Sequence, residues 1–462
     1  MSNEYLVNSD DMTSVADAIR EKRGTSQTLM FPAEFVHAIQ TIQTGGGGTI
    51  IPATIPKDVN FYDYDGTLLY AYTLEEAQAL AALPDGPAHE GLVFDGWNYS
   101  LKSVKSLTRA MNIGAMYSTN DETTRIYIHL KDGRTSPMLG ICPNGTVTVD
   151  WGDGTKPNTL TGTSLTGVKW TPTHNYASPG DYVIKLTVDG QAQLHGISRE
   201  NAYSYILRYA SSADSRNRAY QSSILKVEIG AGIRIGYNAF SYCNSLSSIT
   251  IPFSVTSIGT NAFYSCYSLS SITIPDSAAS IESYTFQSCR SLSIITIPSS
   301  VTSIGSSAFS GCNLLSSITI PGSITSIGSY AFNGCCLLSS ITIPGSITSI
   351  GDDAFSYCNL LSSITIPSSV KSIGTNAFCG CFLLSSITIP SGVTSIGGSA
   401  FYGCYGMVYY DFTALSAVPT LSNTNAFKGI AADCEIRVPA TLAEEWKAAT
   451  NWATYADHIV GV

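Results

Sequence analysis

The feature that most constrains this chain is a 23-residue repeat in its C-terminal half. Eight cysteines recur at that spacing, and each has a phenylalanine three positions before it. The cysteines are Cys243, Cys266, Cys289, Cys312, Cys335, Cys358, Cys381 and Cys404. The phenylalanines are Phe240, Phe263, Phe286, Phe309, Phe332, Phe355, Phe378 and Phe401. A period of this length indicates stacked supersecondary units, each of which buries its apolar face only against its neighbours.

One repeat shows what each unit is expected to build. Ile318 and Ile320 alternate with hydroxyl-bearing residues, which is the period-two pattern of a strand with one buried face. Pro321 ends that strand because it has no N–H to donate. Gly328 is expected at a corner where the backbone needs a positive φ. The pattern therefore predicts a parallel sheet with internal columns of Phe, Cys, Leu and Ile.

The two faces of this sheet have different predicted roles. The outer hydroxyl side chains, such as those of Ser247, Ser248 and Thr250, predict a solvated face rather than a site. The repeated cysteines point inwards, with no His beside them and no C-x-x-C pair, so they are expected to be small buried thiols rather than metal ligands or redox groups. Side chains stacked in register also have poor geometry for disulfides. We expect no metal and no cofactor.

These repeats resemble the leucine-rich repeats of the BspA type, which occur in bacterial surface adhesins and in proteins of phages and prophages. The resemblance covers the solenoid predicted at residues 225–412, and residues 413–462 are predicted to be its C-terminal cap. It implies a binding role and carries over no catalytic residues.

Five segments are predicted before the solenoid. Residues 1–44 show two short helical patterns, and residues 45–57 form a Gly-rich linker. Residues 58–118 predict a small β-grasp-like α+β domain, and residues 119–190 predict an antiparallel β-sandwich. Residues 191–224 are assigned as the connector and N-terminal cap. The predicted fold class is therefore mainly β and multidomain, with an immunoglobulin-like sandwich, an α+β domain and a helical segment preceding the solenoid.

Three of these segments resemble known modules. The stretch from Tyr5 to Ile39 resembles the N-terminal attachment segment of phage and prophage tail proteins. The stretch from His89 to Trp97 is similar to the end of Listeria–Bacteroides surface repeats. The stretch from Val147 to Thr155 and the strand that follows resemble a polycystic-kidney-disease domain, an immunoglobulin-like spacer. Within it, Asp150 and Asp153 are expected to form turns, with calcium binding as the alternative.

A phosphatase-like motif occurs at Asp63-x-Asp65-Gly66-Thr67. It resembles the haloacid dehalogenase nucleophile motif, in which the first Asp attacks phosphate and the second acts as acid and base. The other parts of that active site are missing from the sequence, and an Asp-Gly hairpin turn explains the motif. No catalytic residue is assigned, and the protein is not predicted to be an enzyme.

Candidate ligand-binding residues lie where the repeats differ from one another, beside the Ala-Phe pair and the Cys. Tyrosine is frequent there, and it offers a large contact area at low entropic cost. The alternative is that these are only tolerant loop positions. The candidates are Tyr237, Tyr242, Tyr264, Tyr267, Tyr284, Arg290, Tyr330, Asp352, Asp353, Tyr357, Phe382, Tyr402 and Tyr405.

Charge and hydropathy exclude two classes of partner. Only 13% of the residues are charged, the net charge is -10, and no basic cluster occurs, so a nucleic-acid partner is not expected. No apolar run is long enough to span a membrane. The acidic N-terminus lacks the apolar stretch of a signal peptide, which argues against export by that route.

The order of the segments is typical of a chain that holds one end and binds with the other. It predicts a phage or prophage tail-fibre or receptor-binding protein, made in the host cytoplasm and located in the virion tail. The solenoid would contact a host cell-surface glycan or protein, and the N-terminal segment would contact other tail or baseplate proteins. The resemblance to tail fibres implies a homo-oligomer, in particular a trimer.

Two alternatives stay open at this point. A bacterial cell-surface BspA-like adhesin would need a signal peptide or an anchor. A polysaccharide-degrading enzyme would need clustered carboxylates on the solenoid, but between residues 241 and 400 only Asp352 and Asp353 are acidic neighbours.

Overall fold

Strands dominate the structure, a computed structural model, and helix makes up only 7% of the residues that it describes. It describes residues 57–131, 135–165, 172–196, 206–209 and 223–462. The predicted helical segment at residues 1–44 and the linker up to residue 56 lie outside the described residues. The mainly β fold class with a 23-residue solenoid is confirmed.

The first domain, residues 57–119, is a mixed sheet with two short helices. Its elements are β1 (Val59–Tyr62), β2 (Leu68–Tyr72), α1 (Leu74–Gln78), β3 (Leu92–Trp97), α2 (Leu101–Lys105) and β4 (Met111–Thr119). The strand order is β2-β1-β4-β3, with β1 and β4 parallel and the outer pairs antiparallel. Thr73 and Glu76 form a capping box that starts α1. Phe61 and Trp97 meet edge to face at 4.8 Å in the core of the domain.

The phosphatase-like motif is the turn between β1 and β2. The Asp63 N–H donates to the Thr67 carbonyl at 2.8 Å, and the Gly66 N–H donates to the Asp63 carbonyl at 3.0 Å. Gly66 has a φ of 90°, which favours glycine. The buried Asp63 carboxylate lies 2.8 Å from His89 Nε2. The hairpin interpretation of this motif is confirmed.

Residues 124–209 supply a larger antiparallel sheet. Its strands and those packed on it are β5 (Thr124–Leu130), β6 (Pro137–Leu139), β7 (Ile141–Asp150), β8 (Asn158–Thr163), β9 (Gly180–Leu194) and β10 (Leu207–Tyr209). The sheet has the order β5-β9-β7-β8, and β6 pairs with β10 separately. Asp150 accepts the Gly152 N–H at 2.9 Å, and Asp153 accepts the Thr155 N–H at 3.1 Å. Both carboxylates therefore form turns, as predicted.

This sheet continues directly into the solenoid and caps its first repeat. The connecting strands are β11 (Ile224–Glu228), β12 (Ile233–Ile235) and β13 (Ser248–Thr250). β11 pairs antiparallel with β5 and parallel with β13, while β12 pairs with the end of β9. The cap thus includes β5 and β9, beyond the residues 191–224 that the sequence assigned to it. Pairing of this kind removes the open sheet edge at which a solenoid would otherwise aggregate.

Each repeat forms one coil of a solenoid of about 10 turns. We number repeats 1 to 8 by their cysteines, from Cys243 to Cys404. The remaining strands are β14 (Ser271–Thr273), β15 (Ser280–Ile281), β16 (Ile294–Thr296), β17 (Ser303–Ile304), β18 (Ser317–Thr319), β19 (Ser326–Ile327), β20 (Ser340–Thr342), β21 (Ser349–Ile350), β22 (Ser363–Thr365), β23 (Ser372–Ile373), β24 (Ser386–Thr388), β25 (Ser395–Ile396), β26 (Tyr409–Asp411), β27 (Thr420–Leu421), β28 (Glu435–Val438) and β29 (Ile459–Gly461).

These strands stack in parallel along two sides of the solenoid, each side consisting of several short hydrogen-bonded ladders that we name together as one sheet. Sheet A comprises β13, the even-numbered strands from β14 to β28, and β29, and it is the parallel sheet that the Ser-Ile-Thr pattern predicted. Sheet B comprises β12 and the odd-numbered strands from β15 to β27. The strands of sheet B from β15 onwards are only two residues long. Two residues are too few for an alternating pattern, so the sequence did not predict these strands.

The repeated glycine serves a different purpose from the one predicted. The Gly328 N–H donates to the Ile304 carbonyl of the preceding repeat at 2.9 Å, and a Cβ there would lie 2.5 Å from the Ser306 N. The residues near Gly328 that have a positive φ are instead Tyr330 and Gly334. The expectation of a positive φ at Gly328 is therefore wrong. Glycine is needed because two neighbouring backbones approach too closely for a side chain.

The phenylalanine and cysteine columns fill the interior. From Phe240 to Phe427, neighbouring rings stack with centroids 5.4–5.6 Å apart and interplanar angles of 2–12°. From Cys266 to Cys404, each thiol donates to the carbonyl of the Phe in the preceding repeat at 3.1–3.2 Å. Burial raises the pKa of the Cys312 thiol well above its ordinary value. The columns are buried as predicted, and the cysteines satisfy buried carbonyls.

The C-terminal cap covers the last repeat with aromatic side chains. It contains α3 (Ala443–Ala448), flanked by 3-10 segments at Ala440–Leu442 and Trp452–His458. Trp446 and Trp452 are buried against Phe412, with ring centroids at 5.1 Å and 5.5 Å. The cap predicted for residues 413–462 thus covers the end of the solenoid.

The first domain packs on sheet A of the early repeats. Asn98 Nδ2 donates to the Ile274 carbonyl at 3.2 Å and to Thr296 Oγ1 at 3.1 Å, and the Tyr99 hydroxyl donates to the Ile297 carbonyl at 3.0 Å. The same hydroxyl face is buried in repeats 1 to 3, at Thr250, Ser271, Thr273 and Thr296. The solvated face predicted from Thr250 is therefore wrong for these repeats. It holds in repeats 5 and 6, where Ser340, Thr342, Ser363 and Thr365 are exposed.

A buried carboxylate joins the first domain, the large sheet and the solenoid. Glu228 on β11 is 3% exposed and lies 2.9 Å from Lys226 Nζ. It also accepts a hydrogen bond from the Tyr127 hydroxyl of β5 at 3.0 Å. Lys226 in turn lies 5.9 Å from the centre of the Tyr64 ring in the first domain. Because this charge is paired and hydrogen-bonded, its burial fixes the relative placement of the three parts. Together with the hydrogen bonds of Asn98 and Tyr99, this contact docks the first domain on the solenoid.

Candidate ligand-binding face of the solenoid

All thirteen candidate residues lie on the third side of the solenoid, which we call the turn side. It runs in each repeat from six residues before the Cys to one residue after it. Alternate backbone N–H groups there donate to carbonyls of the next repeat, as from Tyr330 to Asp352 at 2.8 Å and from Phe332 to Ala354 at 2.9 Å. The turn side is therefore a third hydrogen-bonded ladder and a fixed platform for its side chains.

Two positions of each repeat on the turn side have a left-handed backbone. They lie five residues and one residue before the Cys, and most repeats fill them with Asn, Ser, Asp or Gly. Tyrosine stands there four times, at Tyr242, Tyr284, Tyr330 and Tyr357, with φ of 58–61°. A left-handed backbone is less favourable for an L-residue by about 1–2 kcal/mol. The backbone at these positions does not require a large side chain, so the fold alone does not explain the four tyrosines.

The candidates form two patches rather than one surface. The N-terminal tyrosine patch, in repeats 1 to 3, contains Tyr237, Tyr242, Tyr264, Tyr267, Tyr284 and Arg290. The C-terminal tyrosine patch, in repeats 5 to 8, contains Tyr330, Asp352, Asp353, Tyr357, Phe382, Tyr402 and Tyr405. Repeat 4 separates them with the small residues Ser306, Ser307, Ser310 and Gly311 on its turn side.

The N-terminal tyrosine patch is aromatic and carries a cation. Tyr242 and Tyr264 meet edge to face with centroids 5.0 Å apart. The Arg290 guanidinium lies 4.8 Å from the centre of the Tyr267 ring, a cation–π distance. Tyr237 is exposed but packs near His195 of the N-terminal cap, with ring centroids 6.1 Å apart. This patch is therefore partly engaged by the protein itself.

The C-terminal tyrosine patch is more open and carries carboxylates. Tyr357 is 53% exposed, and its ring lies over Gly380, where a Cβ would be 2.9 Å from the ring. The Tyr330 hydroxyl hydrogen-bonds the Asp353 side chain, and the Asp353 charge raises the pKa of the Tyr330 phenol. Asp353 is nearly buried and also contacts Asn376 Nδ2 at 3.4 Å. Asp352 accepts the Thr375 N–H at 2.7 Å, so its carboxylate supports the backbone ladder.

The end of the C-terminal tyrosine patch contains residues that sequence reasoning missed. Phe382 stacks on Tyr405 with centroids 5.8 Å apart, and Lys428 Nζ lies 5.9 Å from the Tyr402 ring centre. Lys428 lies beyond the regular repeat, so no periodicity pointed to it. Asn376 occupies a left-handed position, and the recurrence of Asn five residues before the Cys was an available signal.

In the described ranges, no three His, Cys, Asp or Glu side chains come together as a metal site. None of the helices described is long and apolar enough to cross a membrane.

The repeats are similar to a known family. Residues 217–338 and 311–432 match the description "BspA type Leucine rich repeat region", in six copies. The repeat region therefore matches BspA-type leucine-rich repeats, as the sequence resemblance predicted. No curated protein matches the chain. The resemblances of residues 119–190 to a polycystic-kidney-disease domain and of the N-terminal segment to tail proteins stay predictions.

Several solved structures are similar to this chain. A leucine-rich repeat protein from Bacteroides ovatus is 26% identical, with a TM-score of 0.38, and the match covers 53% of this chain and 68% of that one. A T. pallidum leucine-rich repeat protein is 29% identical, with a TM-score of 0.31, covering 39% of this chain and 72% of that one. A leucine-rich cell surface protein from Faecalibacterium prausnitzii is 24% identical, with a TM-score of 0.28, covering 53% and 89%.

Proposed function

Because residues 217–432 are BspA-type leucine-rich repeats, we propose that this protein is a binding protein that attaches to a ligand on a host bacterial surface through the C-terminal tyrosine patch. The observation that carries this proposal is Tyr357, a large exposed side chain held at a left-handed position where repeats 4, 5, 7 and 8 have glycine. Glycine adopts this left-handed backbone at a lower free-energy cost than tyrosine does. Contact between the tyrosine ring and a ligand explains why tyrosine is present instead.

The C-terminal tyrosine patch is favoured over the N-terminal one by its surroundings. Most of its residues belong to repeats 6 to 8, none of which lines the cleft that the solenoid forms with the first domain, whereas Tyr237 in the N-terminal tyrosine patch packs near His195 of the cap. Its rings are exposed beside hydrogen-bonding groups, as in interfaces where aromatic anchors sit among polar contacts. A cell-surface glycan or a surface protein both fit this description.

The test is binding of the full chain to intact candidate bacteria. The variant Tyr357→Gly with Tyr402→Ser is compared with the matched control Tyr242→Gly with Tyr264→Ser, which changes equivalent positions of the other patch. We expect at least a tenfold loss of apparent affinity in the first variant and little change in the control, because an anchoring aromatic contributes about 2 kcal/mol or more. Wild-type affinity of the first variant would falsify the proposal. Periodate or protease treatment of the cells identifies a glycan or a protein ligand.

The single substitution Tyr357→Gly also separates folding from binding. We expect the free energy of unfolding to rise by about 1 kcal/mol, because glycine adopts the left-handed backbone without the steric penalty of tyrosine. Chemical denaturation of both proteins measures the change. A clear loss of stability would mean that the Tyr357 ring on Gly380 is a structural contact, and the argument from strain would then fail.

We further propose that the protein is located on a phage or prophage tail. There it forms a homotrimer whose N-terminal segments contact tail or baseplate proteins. The resemblance of that segment to tail proteins supports this assignment. The second candidate is a bacterial cell-surface adhesin, which the BspA-type repeats favour. An antibody against the solenoid distinguishes them: tail particles purified after prophage induction carry the protein in the first case, and the outer surface of intact uninduced cells carries it in the second.

A further inference from the structure

A cleft of about 430 Å³ opens where the first domain meets the solenoid at the end of the sheet A strands. From the first domain, Tyr99, Ser103, Ser106 and Arg109 line it, and Gly322 and Ser323 line it from the solenoid. None of the residues around it belongs to either tyrosine patch. Its volume is in the range of pockets that hold small molecules, about 300–1,000 Å³.

The chemistry of the cleft centres on one half-buried cation. The Arg109 Nη2 donates to the Ile320 carbonyl, which engages one of the five N–H donors of the guanidinium. Within the described ranges no carboxylate lies within 4.0 Å of it as an ion pair. Burial lowers the pKa of this guanidinium, yet arginine keeps its charge at neutral pH. A charge removed from water without a counter-ion is unfavourable and is relieved by an anion.

Among the residues that the structure describes, the walls of the cleft contain no acidic residue. Arg109 is the one charged residue among the described residues that line it, and the others are serine, threonine, tyrosine, glycine, proline and apolar residues. The charge that the cleft presents is therefore positive, and it favours an anion.

We propose that this cleft binds a small polyhydroxylated anion, a monosaccharide that carries a carboxylate or a phosphate. The planar guanidinium donates two parallel hydrogen bonds to two oxygens of either the carboxylate or the phosphate. Ser106 and Ser323 already donate their hydroxyl protons to backbone carbonyls, and Ser103 pairs with Ser100. Their hydroxyl oxygens therefore face the cleft as acceptors for sugar hydroxyls. The site is distinct from the tyrosine patches and does not depend on the proposed attachment role.

The proposal is tested by titration calorimetry with the full chain. Glucuronate and glucose 6-phosphate are the probes for the two anionic groups, and glucose is the neutral control. We expect one or both acids to bind at least tenfold more tightly than glucose and to weaken as the salt concentration rises. Equal binding of glucose, or no binding of either acid at millimolar concentration, overturns the proposal.

The geometry offers a charge test that leaves Arg109 in place. A Cβ at Gly322 would meet only Arg109 Nη2, at 3.8 Å, so a small side chain fits there. Gly322→Asp places a carboxylate beside the guanidinium, and Gly322→Asn has the same shape without the charge. Ser368→Asp makes the matched charge change at the same repeat position, two repeats along and exposed. We expect at least a tenfold loss of acid-sugar binding with Gly322→Asp alone.

Two other outcomes of the same experiment would overturn the proposal. If Gly322→Asn weakens binding as much as Gly322→Asp does, the loss is steric and the role assigned to Arg109 is overturned. If all three variants bind like the wild type, the cleft is not the site. Cell attachment by the Gly322→Asp variant is measured in parallel. Retained attachment with lost sugar binding separates this site from the tyrosine patch, and failure of the tyrosine test leaves the cleft result unaffected.

Discussion

Repeats 1 to 3 and repeats 5 to 7 have nearly the same sheet A strand, Ser-Ile-Thr, but opposite surroundings. Thr296 in repeat 3 is 1% exposed under the first domain, whereas Thr365 at the same position in repeat 6 faces solvent. The first domain achieves this with Gly114, which lies so close that a Cβ there would be 2.3 Å from Thr296 Oγ1. The repeat sequence therefore determines the conformation of each solenoid turn. The first domain, which lies far away in the sequence, determines which turns have their sheet A surface exposed to solvent.

The largest expected effect tests whether the covered repeats and the open repeats have equally stable interiors. We expect Phe286→Ala in a covered repeat and Phe355→Ala in an open repeat each to lower the free energy of unfolding by about 3–5 kcal/mol. The reason is that both rings are fully buried in the same stack with the same spacing. Urea denaturation, with hydrogen exchange of the altered repeat, measures the losses. A difference of several kcal/mol between the variants would show that covering by the first domain also changes the interior.

The next effect tests the covering itself. We expect Gly114→Leu to release the first domain from sheet A or to destabilise the protein by about 1–3 kcal/mol, because the side chain has no room against Thr273 and Thr296. Gly345→Leu is the control, since a Cβ at Gly345 meets nothing within 4 Å. Hydrogen exchange in β14 and β16 should rise in the first variant only. Unchanged protection in both would mean that the domain is not held by this contact.

The smallest effect compares one hydroxyl in the two surroundings. We expect Thr296→Val to cost about 1 kcal/mol, because Thr296 Oγ1 accepts the Asn98 Nδ2 hydrogen bond in a buried site. Thr365→Val, the same change in an exposed strand, should leave the midpoint of thermal unfolding almost unchanged. Equal shifts of the two midpoints would argue that the comparison rests on strand propensity rather than on docking.

The solenoid could be predicted because its information is local and periodic. Phe309, Cys312 and Ile318 recur with their neighbours at one spacing, so each repeat confirms the next. The docking of the first domain could not be predicted, since the surfaces that meet are polar. Asn98 finds its partner Thr296 198 residues along the chain, and nothing in a Ser-Ile-Thr strand distinguishes a covered copy from an open one.

The sequence identified the candidate residues, but it did not predict that they are arranged in two patches. Sequence variation among repeats pointed to Tyr330, Tyr357 and Tyr402, and all three are exposed on the turn side. Their division into two patches depends on which repeats carry small residues, and the support from Lys428 depends on a contact beyond the repeat. The cleft at Arg109 had no sequence signature, because its two walls come from separate domains.

The turn ladder, the Phe stack and the Cys column are the same between any two neighbouring repeats. A 23-residue unit could therefore be inserted between repeats 4 and 5 without altering the hydrogen bonds at either end. Each such insertion would move the C-terminal tyrosine patch about 5 Å relative to the docked first domain, one strand spacing. The number of inserted repeats would then set the distance between the first domain and the C-terminal tyrosine patch.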